Sequence, residues 1–249
     1  MSRGLDTVDL PVAGGHVLRV RVARPAGAAA GPLVVVLHEL FGVNDDMAWA
    51  LRCLADRGFV AAAPELFHRT APPGAQFPKD DEGRADAFVH LGELTPEGIV
   101  DDVRAVLDAR PRLGASGDPA GLLGFSAGGH AAVIAAAALP VCATVAMYPG
   151  WLGAPDGPIR ASRAALERIA DARGRIVVVL GTADHVVGAE ERVRVARALA
   201  APGVDGRMIE IDGAGHAFFW PGAPAFDEAA RDRAWAEALT ELRAPYSPG

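Results

Sequence analysis

Residues 121–139, Gly-Leu-Leu-Gly-Phe-Ser-Ala-Gly-Gly-His-Ala-Ala-Val-Ile-Ala-Ala-Ala-Ala-Leu, carry the strongest structural signal in the chain. A short apolar segment leads through Gly124-Phe125-Ser126-Ala127-Gly128 into an alanine-rich segment typical of a helix. A serine flanked in this way by small residues predicts a tight strand-to-helix turn that presents its hydroxyl group. The start of the helix would direct free backbone N–H groups towards developing negative charge. We therefore predict that Ser126 is a nucleophile; the alternative is a serine that only caps the helix.

Short apolar segments alternate with helical patterns along the rest of the chain, which is typical of a wound α/β sheet. Residues 33–37 (LVVVL) and 176–180 (IVVVL) are wholly apolar, as parallel strands buried on both faces are. Residues 7–12 and 17–24 alternate in polarity and predict an antiparallel hairpin at the sheet edge. The predicted strands are residues 7–12, 17–24, 33–38, 59–63, 121–125, 142–148, 175–181 and 207–211. The predicted helices are residues 45–57, 80–91, 96–109, 127–139, 159–172, 189–200 and 227–242.

These elements predict a mostly parallel eight-stranded sheet with helices on both faces. The stretches rich in proline and glycine, such as residues 71–78 and 149–158, are too short to link two domains and predict surface loops. We therefore expect a single domain over residues 1–249. In such sheets, functional sites form at the carboxyl ends of the parallel strands.

The charge balance excludes several classes of protein. The 24 basic and 31 acidic residues give a formal net charge of −7, which argues against nucleic-acid binding and against a polybasic membrane-surface role. No apolar run reaches the roughly 20 residues of a membrane span, and the N-terminal residues lack the apolar segment of a signal peptide. The two cysteines, Cys53 and Cys142, are too few for a disulfide framework. We expect a cytoplasmic protein with no membrane and no nucleic-acid partner.

A nucleophilic serine needs a base, and the base needs an acid that orients it. Asp184 follows the apolar residues 176–180, and His216 follows the last predicted strand, so the order Ser126, Asp184, His216 is the order expected of this fold class. Three other residues could serve as acid or base because they lie close in sequence to Ser126, Asp184 or His216: His185, His130 and Asp212. None of them follows the expected strand in the expected order.

The loop after the third strand, Leu37-His38-Glu39-Leu40-Phe41-Gly42, is expected to complete the site. In this architecture it would donate the backbone N–H of Leu40 to an oxyanion hole, and Ala127 would donate the other N–H. His38 and Glu39, followed by His68, suggest a metal site as an alternative. The spacing of a metal motif is absent, and we expect neither a metal nor another cofactor.

The order of several motifs resembles that of the dienelactone hydrolase family of α/β hydrolases, over residues from about 33 to 242. The motifs that carry the resemblance are Glu39-Leu40-Phe41-Gly42-Val43-Asn44, Ala63-Pro64-Glu65-Leu66-Phe67-His68-Arg69, Gly124-Phe125-Ser126-Ala127-Gly128-Gly129, Asp184-His185 and Gly215-His216-Ala217-Phe218. The resemblance implies the α/β-hydrolase fold. The family usually has cysteine where this chain has Ser126, and its glutamate at the position of Glu39 helps to activate the nucleophile.

Substrate recognition departs from the family pattern at two positions. The best-known members hold a lactone carboxylate with two arginines and a tyrosine. The first arginine and the tyrosine correspond to Arg84 and Phe88, and the second arginine corresponds to Trp220, four residues after His216. With one arginine and the phenol hydroxyl missing, we expect a neutral ester or lactone to be cleaved at least as efficiently as its carboxylate-bearing counterpart.

The sequence thus predicts a hydrolase that cleaves a small ester or lactone through an acyl-enzyme. In this prediction Ser126 attacks, His216 acts as base and then acid, Asp184 orients His216, and Glu39 assists. The alternatives are a related acyl-ester or peptide hydrolase and a binding protein without activity. The expected partner is a small-molecule substrate, and the expected assembly is a monomer or a homodimer.

Overall fold

A computed structural model describes residues 4–27, 30–117 and 120–246. All eight strands lie in one sheet, in the order β1-β2-β4-β3-β5-β6-β7-β8. Strands β3 to β8 are mutually parallel, whereas β2 runs antiparallel to both β1 and β4. The predicted mostly parallel sheet of eight strands is therefore confirmed. The strands are β1 Asp6–Pro11, β2 Val17–Ala23, β3 Leu33–Leu37, β4 Val60–Pro64, β5 Ala120–Phe125, β6 Val141–Met147, β7 Arg175–Gly181 and β8 Gly206–Ile211.

Helices cover both faces of the sheet, as the apolar strands require. One hydrophobic core joins one face to the helices α3, α5 and α7, and a second joins the opposite face to α1 and α8. The α-helices are α1 Asp45–Ala55, α2 Asp81–Gly92, α3 Pro96–Asp108, α4 Arg110–Leu113, α5 Ala127–Ala138, α6 Ala165–Arg168, α7 Ala189–Leu199 and α8 Glu228–Arg243. None of the helices in the described part of the chain combines the length and the apolarity that crossing a membrane requires.

The predicted helix over residues 159–172 is wrong for most of its length. Only Ala165–Arg168 is α-helical, and a 3-10 turn, Ile169–Asp171, follows it. The preceding residues form turns because Pro155 and Pro158 restrict the backbone, and no side chain caps the helix at Ala164. The result is a loop that follows β6 and lies beside the carboxyl end of the sheet.

Candidate active site

The turn at Ser126 joins β5 directly to α5. Ser126 has φ +50° and ψ −112°, a conformation that residues with a side chain rarely adopt, and its N–H donates to the Met147 carbonyl at 2.9 Å. A Cβ atom on Gly124 would lie 2.1 Å from the Gly128 oxygen, and one on Gly128 would lie 2.1 Å from the Leu37 oxygen. The two glycines of the motif are therefore required because the turn packs against its own backbone and against the end of β3.

A continuous chain of hydrogen bonds runs from Ser126 to Asp184. The Ser126 hydroxyl lies 3.0 Å from Nε2 of His216, and Nδ1 of His216 lies 2.9 Å from Oδ2 of Asp184. With the proton of the neutral imidazole on Nδ1, the serine hydroxyl donates to Nε2 and the ring donates to the carboxylate. The three residues thus have the hydrogen-bonding arrangement of a nucleophile, a base and an orienting acid.

Asp184 is held in place by the backbone that follows it. Its Oδ1 accepts hydrogen bonds from the N–H groups of Val186 (2.8 Å) and Val187 (3.1 Å), which leaves Oδ2 for His216. Burial favours the neutral acid, but the hydrogen bond and charge of His216 and the two backbone N–H groups outweigh it, so the pKa of Asp184 lies below its usual value. Asp184 is therefore ionised at neutral pH.

The competing residues have other contacts. His185 is exposed and lines the cleft, with its ring centroid 6.0 Å from that of His216. The buried His130 bonds through Nδ1 to the Gly150 carbonyl at 2.9 Å, and Asp212 accepts a hydrogen bond from Thr182 at 3.1 Å.

Ser126 and His216 lie in a cleft of about 460 Å³. Leu40 lines it, and Ala127 begins α5 directly after the serine, so both residues predicted for the oxyanion hole lie at this site. Most of the other lining residues are apolar, which would favour a substrate with substantial apolar surface. The lining also includes Phe41, Phe88, Trp151, Val186, Ala217, Ala223, Pro224 and Ala225.

Glu39 lines the same cleft and pairs with Lys79, which the sequence analysis did not predict at the site. Its side chain is almost fully buried, and its Oε1 lies 3.5 Å from Nζ of Lys79, which also pairs with Asp46. Burial raises the pKa of Glu39 above its usual value, although the positive charges of Lys79 and His216 oppose the shift. Lys79 is the single lysine of the chain, but its place just before a predicted helix gave no sign that it would reach the site.

Of the three residues predicted to bind substrate, the structure brings two to the cleft. Arg84 and Phe88 line it; the Arg84 guanidinium lies 5.9 Å from the ring centroid of Phe41. Trp220 is 1% exposed, and its ring packs in the core at 4.7 Å from that of Phe125. The placement of Trp220 in the substrate pocket is thus corrected. Ala217 has φ +60° and accepts a hydrogen bond from the Trp220 N–H, so the chain turns back towards the core.

His38 and His68, considered as metal ligands, form hydrogen bonds within the fold. His38 bonds through Nδ1 to the Glu39 carbonyl at 2.6 Å and accepts the Leu66 N–H at 3.0 Å. Burial lowers the pKa of His38 to about 4, although the bond to Glu39 partly opposes this. His68 lies 3.1 Å from both carboxylate oxygens of Asp102. Within residues 4–27, 30–117 and 120–246, no three side chains form a cluster suited to a metal.

Comparison with known families gives a match over most of the chain. The model of the family described as "Dienelactone hydrolase family" matches residues 18–245. The family model therefore agrees with the motif resemblance.

Relatives of known name are similar to this chain in sequence, and a solved structure is similar to it in fold. The chain is 28% identical over 207 residues to a carboxymethylenebutenolidase of Pseudomonas putida, covering 82% of this chain and 81% of that protein. It is 29% identical over 241 residues to a carboxymethylenebutenolidase of Pseudomonas sp. strain P51, covering 96% and 94%. Its fold is similar to the crystal structure of a putative dienelactone hydrolase from Klebsiella pneumoniae, with a TM-score of 0.84, 22% identity and coverage of 97% and 100%.

Proposed function

The chain belongs to the dienelactone hydrolase family, and from that premise we propose that this hydrolase cleaves a small ester or lactone through a covalent acyl-Ser126 intermediate. The observation that carries the proposal is the hydrogen-bonded chain from Ser126 through His216 to Asp184 at the edge of an apolar cleft. The sheet and both cores support a single domain over residues 1–249 as part of this proposal.

In the first half of the reaction, the Ser126 oxygen attacks the substrate carbonyl while Nε2 of His216 takes its proton. The backbone N–H groups of Leu40 and Ala127 would stabilise the negative oxygen of the tetrahedral intermediate. His216 then gives the proton to the leaving oxygen as the bond from carbon to that oxygen breaks. In a lactone, the leaving alcohol or enol stays attached to the acyl group.

In the second half, water repeats the same sequence on the acyl-enzyme. His216 takes a proton from the water, the resulting hydroxide attacks the acyl carbon, and Ser126 leaves with the proton returned from His216. Asp184 orients the ring and stabilises the imidazolium in both halves. The reaction consumes one water and needs no cofactor.

A related acyl-ester or peptide substrate is the alternative for the same residues. Cleavage of an amide would need His216 to protonate a poorer leaving group, but otherwise it would use the same geometry. The family match favours hydrolysis over a binding role without activity, because the relatives are named for an enzymatic activity.

The test is Ser126→Ala with p-nitrophenyl acetate as substrate. Removing the hydroxyl should lower kcat/KM by about 10⁴-fold or more. Wild type mixed with substrate and quenched should show one added acyl group on the peptide that contains Ser126. The matched control is Ser116→Ala, which removes an exposed hydroxyl before β5, at the opposite end of that strand from Ser126, and should keep wild-type activity. A Ser126→Ala enzyme that keeps more than about a hundredth of wild-type kcat would overturn the assignment.

A further inference from the structure

Lys79 reaches the active site from the loop that precedes α2. Its Nζ lies 3.5 Å from Oε1 of Glu39, pairs with Oδ2 of Asp46 at the start of α1, and lies 5.8 Å from the ring centroid of Phe41. Its side chain is one-third exposed and lines the same cleft as Ser126. One ammonium group therefore bridges two carboxylates at the edge of the site.

The loop that carries Lys79 is fixed against the segment that carries Glu39. The Phe77 N–H donates to the Phe41 carbonyl at 3.2 Å, and Nε2 of Gln76 donates to the Val43 carbonyl at 3.1 Å. Gly42 approaches the loop so closely that a Cβ atom there would lie 2.6 Å from the Ala75 oxygen. These contacts hold the loop of Lys79 in a fixed position beside the segment of Glu39.

The groups that face Glu39 come from several elements. Lys79, and His216 in its protonated form, act on Glu39 as positive charges, whereas Asp46 acts on it as a negative charge. Burial and then the charge of Glu39 raise the pKa of the Tyr148 hydroxyl. The Oε1 atom of Glu39 is buried and has no hydrogen-bond partner among the residues that the structure describes. Among the charged groups that act on Glu39, Lys79 has the largest effect, so the stability of the Glu39 carboxylate depends on it.

We propose that Lys79 is a positioning residue that holds Glu39 as a carboxylate beside Ser126 and His216, and thereby lets this pair work at a lower pH than it otherwise would. This inference rests on the proposed function of Ser126. Loss of Lys79 removes the positive charge that opposes the protonation of Glu39, so Glu39 takes up its proton at a higher pH.

The directions of the pKa shifts of Lys79 and Glu39 agree with this role of Lys79. Burial favours the neutral amine of Lys79, but Glu39 and Asp46 outweigh it and raise the pKa of Lys79 above its usual value, so it stays protonated. Its positive charge in turn limits the rise in the pKa of Glu39 that burial causes. Lys79 is thus a cation at the pH of the assay, and its charge opposes the protonation of Glu39.

The experiment compares kcat/KM for p-nitrophenyl acetate across the pH range at fixed ionic strength. Lys79→Met keeps most of the side-chain volume but removes the charge. The acid limb of the pH profile, where kcat/KM falls as the pH is lowered, should move to higher pH by about one unit in this variant. Lys79→Arg restores the charge and should bring the limb back towards wild type. In a Glu39→Gln background, Lys79→Met should produce less than half of that shift.

Asp46→Asn supplies a change of opposite sign while it keeps the Lys79 side chain. Since the charge of Asp46 raises the pKa of Glu39, its removal should move the acid limb to lower pH. The pH dependence of Ser126 labelling by diethyl p-nitrophenyl phosphate, followed by mass spectrometry, should show the same two shifts independently of turnover. A purely structural Lys79 would lower activity equally at every pH.

Three results would overturn the inference: an acid limb that does not move in Lys79→Met, an equal shift with Glu39→Gln present, or a shift in Asp46→Asn towards higher pH. If Lys79→Met does not fold, Asp46→Asn still decides it, because its acid limb must move to lower pH. The proposed function fails separately, when Ser126→Ala remains active. An inactive Ser126→Ala combined with unmoved acid limbs rejects only the role of Lys79.

Discussion

Ser126 is held in a backbone conformation that costs on the order of 1–3 kcal/mol, and the surrounding fold supplies that energy. β5 and the first turns of α5 are fully buried around it, so the turn cannot relax without unpacking the core. The hydroxyl itself contributes little to that packing, because its hydrogen-bond partner is His216 in the cleft. The backbone atoms of Ser126 are therefore strained, whereas its hydroxyl group is available for the reaction.

Arg84 should give only a weak preference for anionic substrates. It lines the cleft from an exposed position on α2, where water competes for the guanidinium, so its contribution is at most about 1 kcal/mol, or roughly fivefold. We expect kcat/KM for a dienelactone to lie within roughly that factor of the value for its methyl ester. Arg84→Met should lower kcat/KM for the acid and leave the ester almost unchanged.

The matched control for Arg84→Met is Arg104→Met, which removes an exposed arginine from α3 that pairs with Asp101 instead of lining the cleft. It should leave both substrates unchanged. A tenfold or greater preference of the wild type for the free acid would contradict this account and would require a second cation to bind the carboxylate. Lys79 would be the first residue to test for that role.

For single residues, the sequence predicted the site best where a candidate residue comes directly after an apolar strand. Ser126, Asp184 and His216 could be placed together because parallel strands bring their carboxyl ends to one edge. Lys79 could not, because its loop carries no periodic pattern. Trp220 was misplaced because a count of four residues from His216 ignores the turn at Ala217.

The turn between β5 and α5 depends on glycine at position 128. In Gly128→Ala, the new methyl group would meet the Leu37 oxygen at 2.1 Å, so β3 or α5 must shift. Overpacking of this kind typically costs 1–3 kcal/mol and sometimes more, and we expect the free energy of unfolding to fall by about 3 kcal/mol. Activity should also fall, since β3 leads into Glu39 and Leu40. Urea denaturation and an esterase assay measure the two effects.

Gly92→Ala is the matched control for this change. Gly92 ends α2, and a Cβ atom there would meet nothing within 4 Å. The same substitution should be neutral or stabilise the protein by up to about 1 kcal/mol. Equal stability losses in both variants would mean that the close approach at Gly128 does not limit the fold.

Strands were more predictable than helices for a physical reason. Buried parallel strands need apolar side chains on both faces, and this leaves a pattern that few other segments share. The segment before β7 has helix-forming residues but also two prolines and no capping side chain, so local backbone restriction overrides composition. The short α4, Arg110–Leu113, was also missed, because it follows α3 after a single residue.

The whole molecule should unfold in one cooperative step if it is a single domain. The sheet is continuous from β1 to β8, and α8 is joined to β7 and β8 by ion pairs of the buried Glu241 with Arg175 (2.8 Å) and Arg207 (2.9 Å). We expect one calorimetric transition whose measured enthalpy equals the van't Hoff enthalpy. Two resolved transitions, or a stable fragment after limited proteolysis, would instead indicate two domains.

The open ends of the sheet also bear on how copies of the protein behave when concentrated. Because the sheet does not close on itself, β1 and β8 each pair with a strand on one side only, as far as the described residues show. β1 carries Asp6, Asp9 and Pro11, and β8 carries the exposed Arg207 and Glu210. Charged side chains and proline on an outer strand hinder the addition of another strand, which is the first step of aggregation. We therefore expect edge-to-edge fibres to be disfavoured, and any homodimer to form through helices or loops.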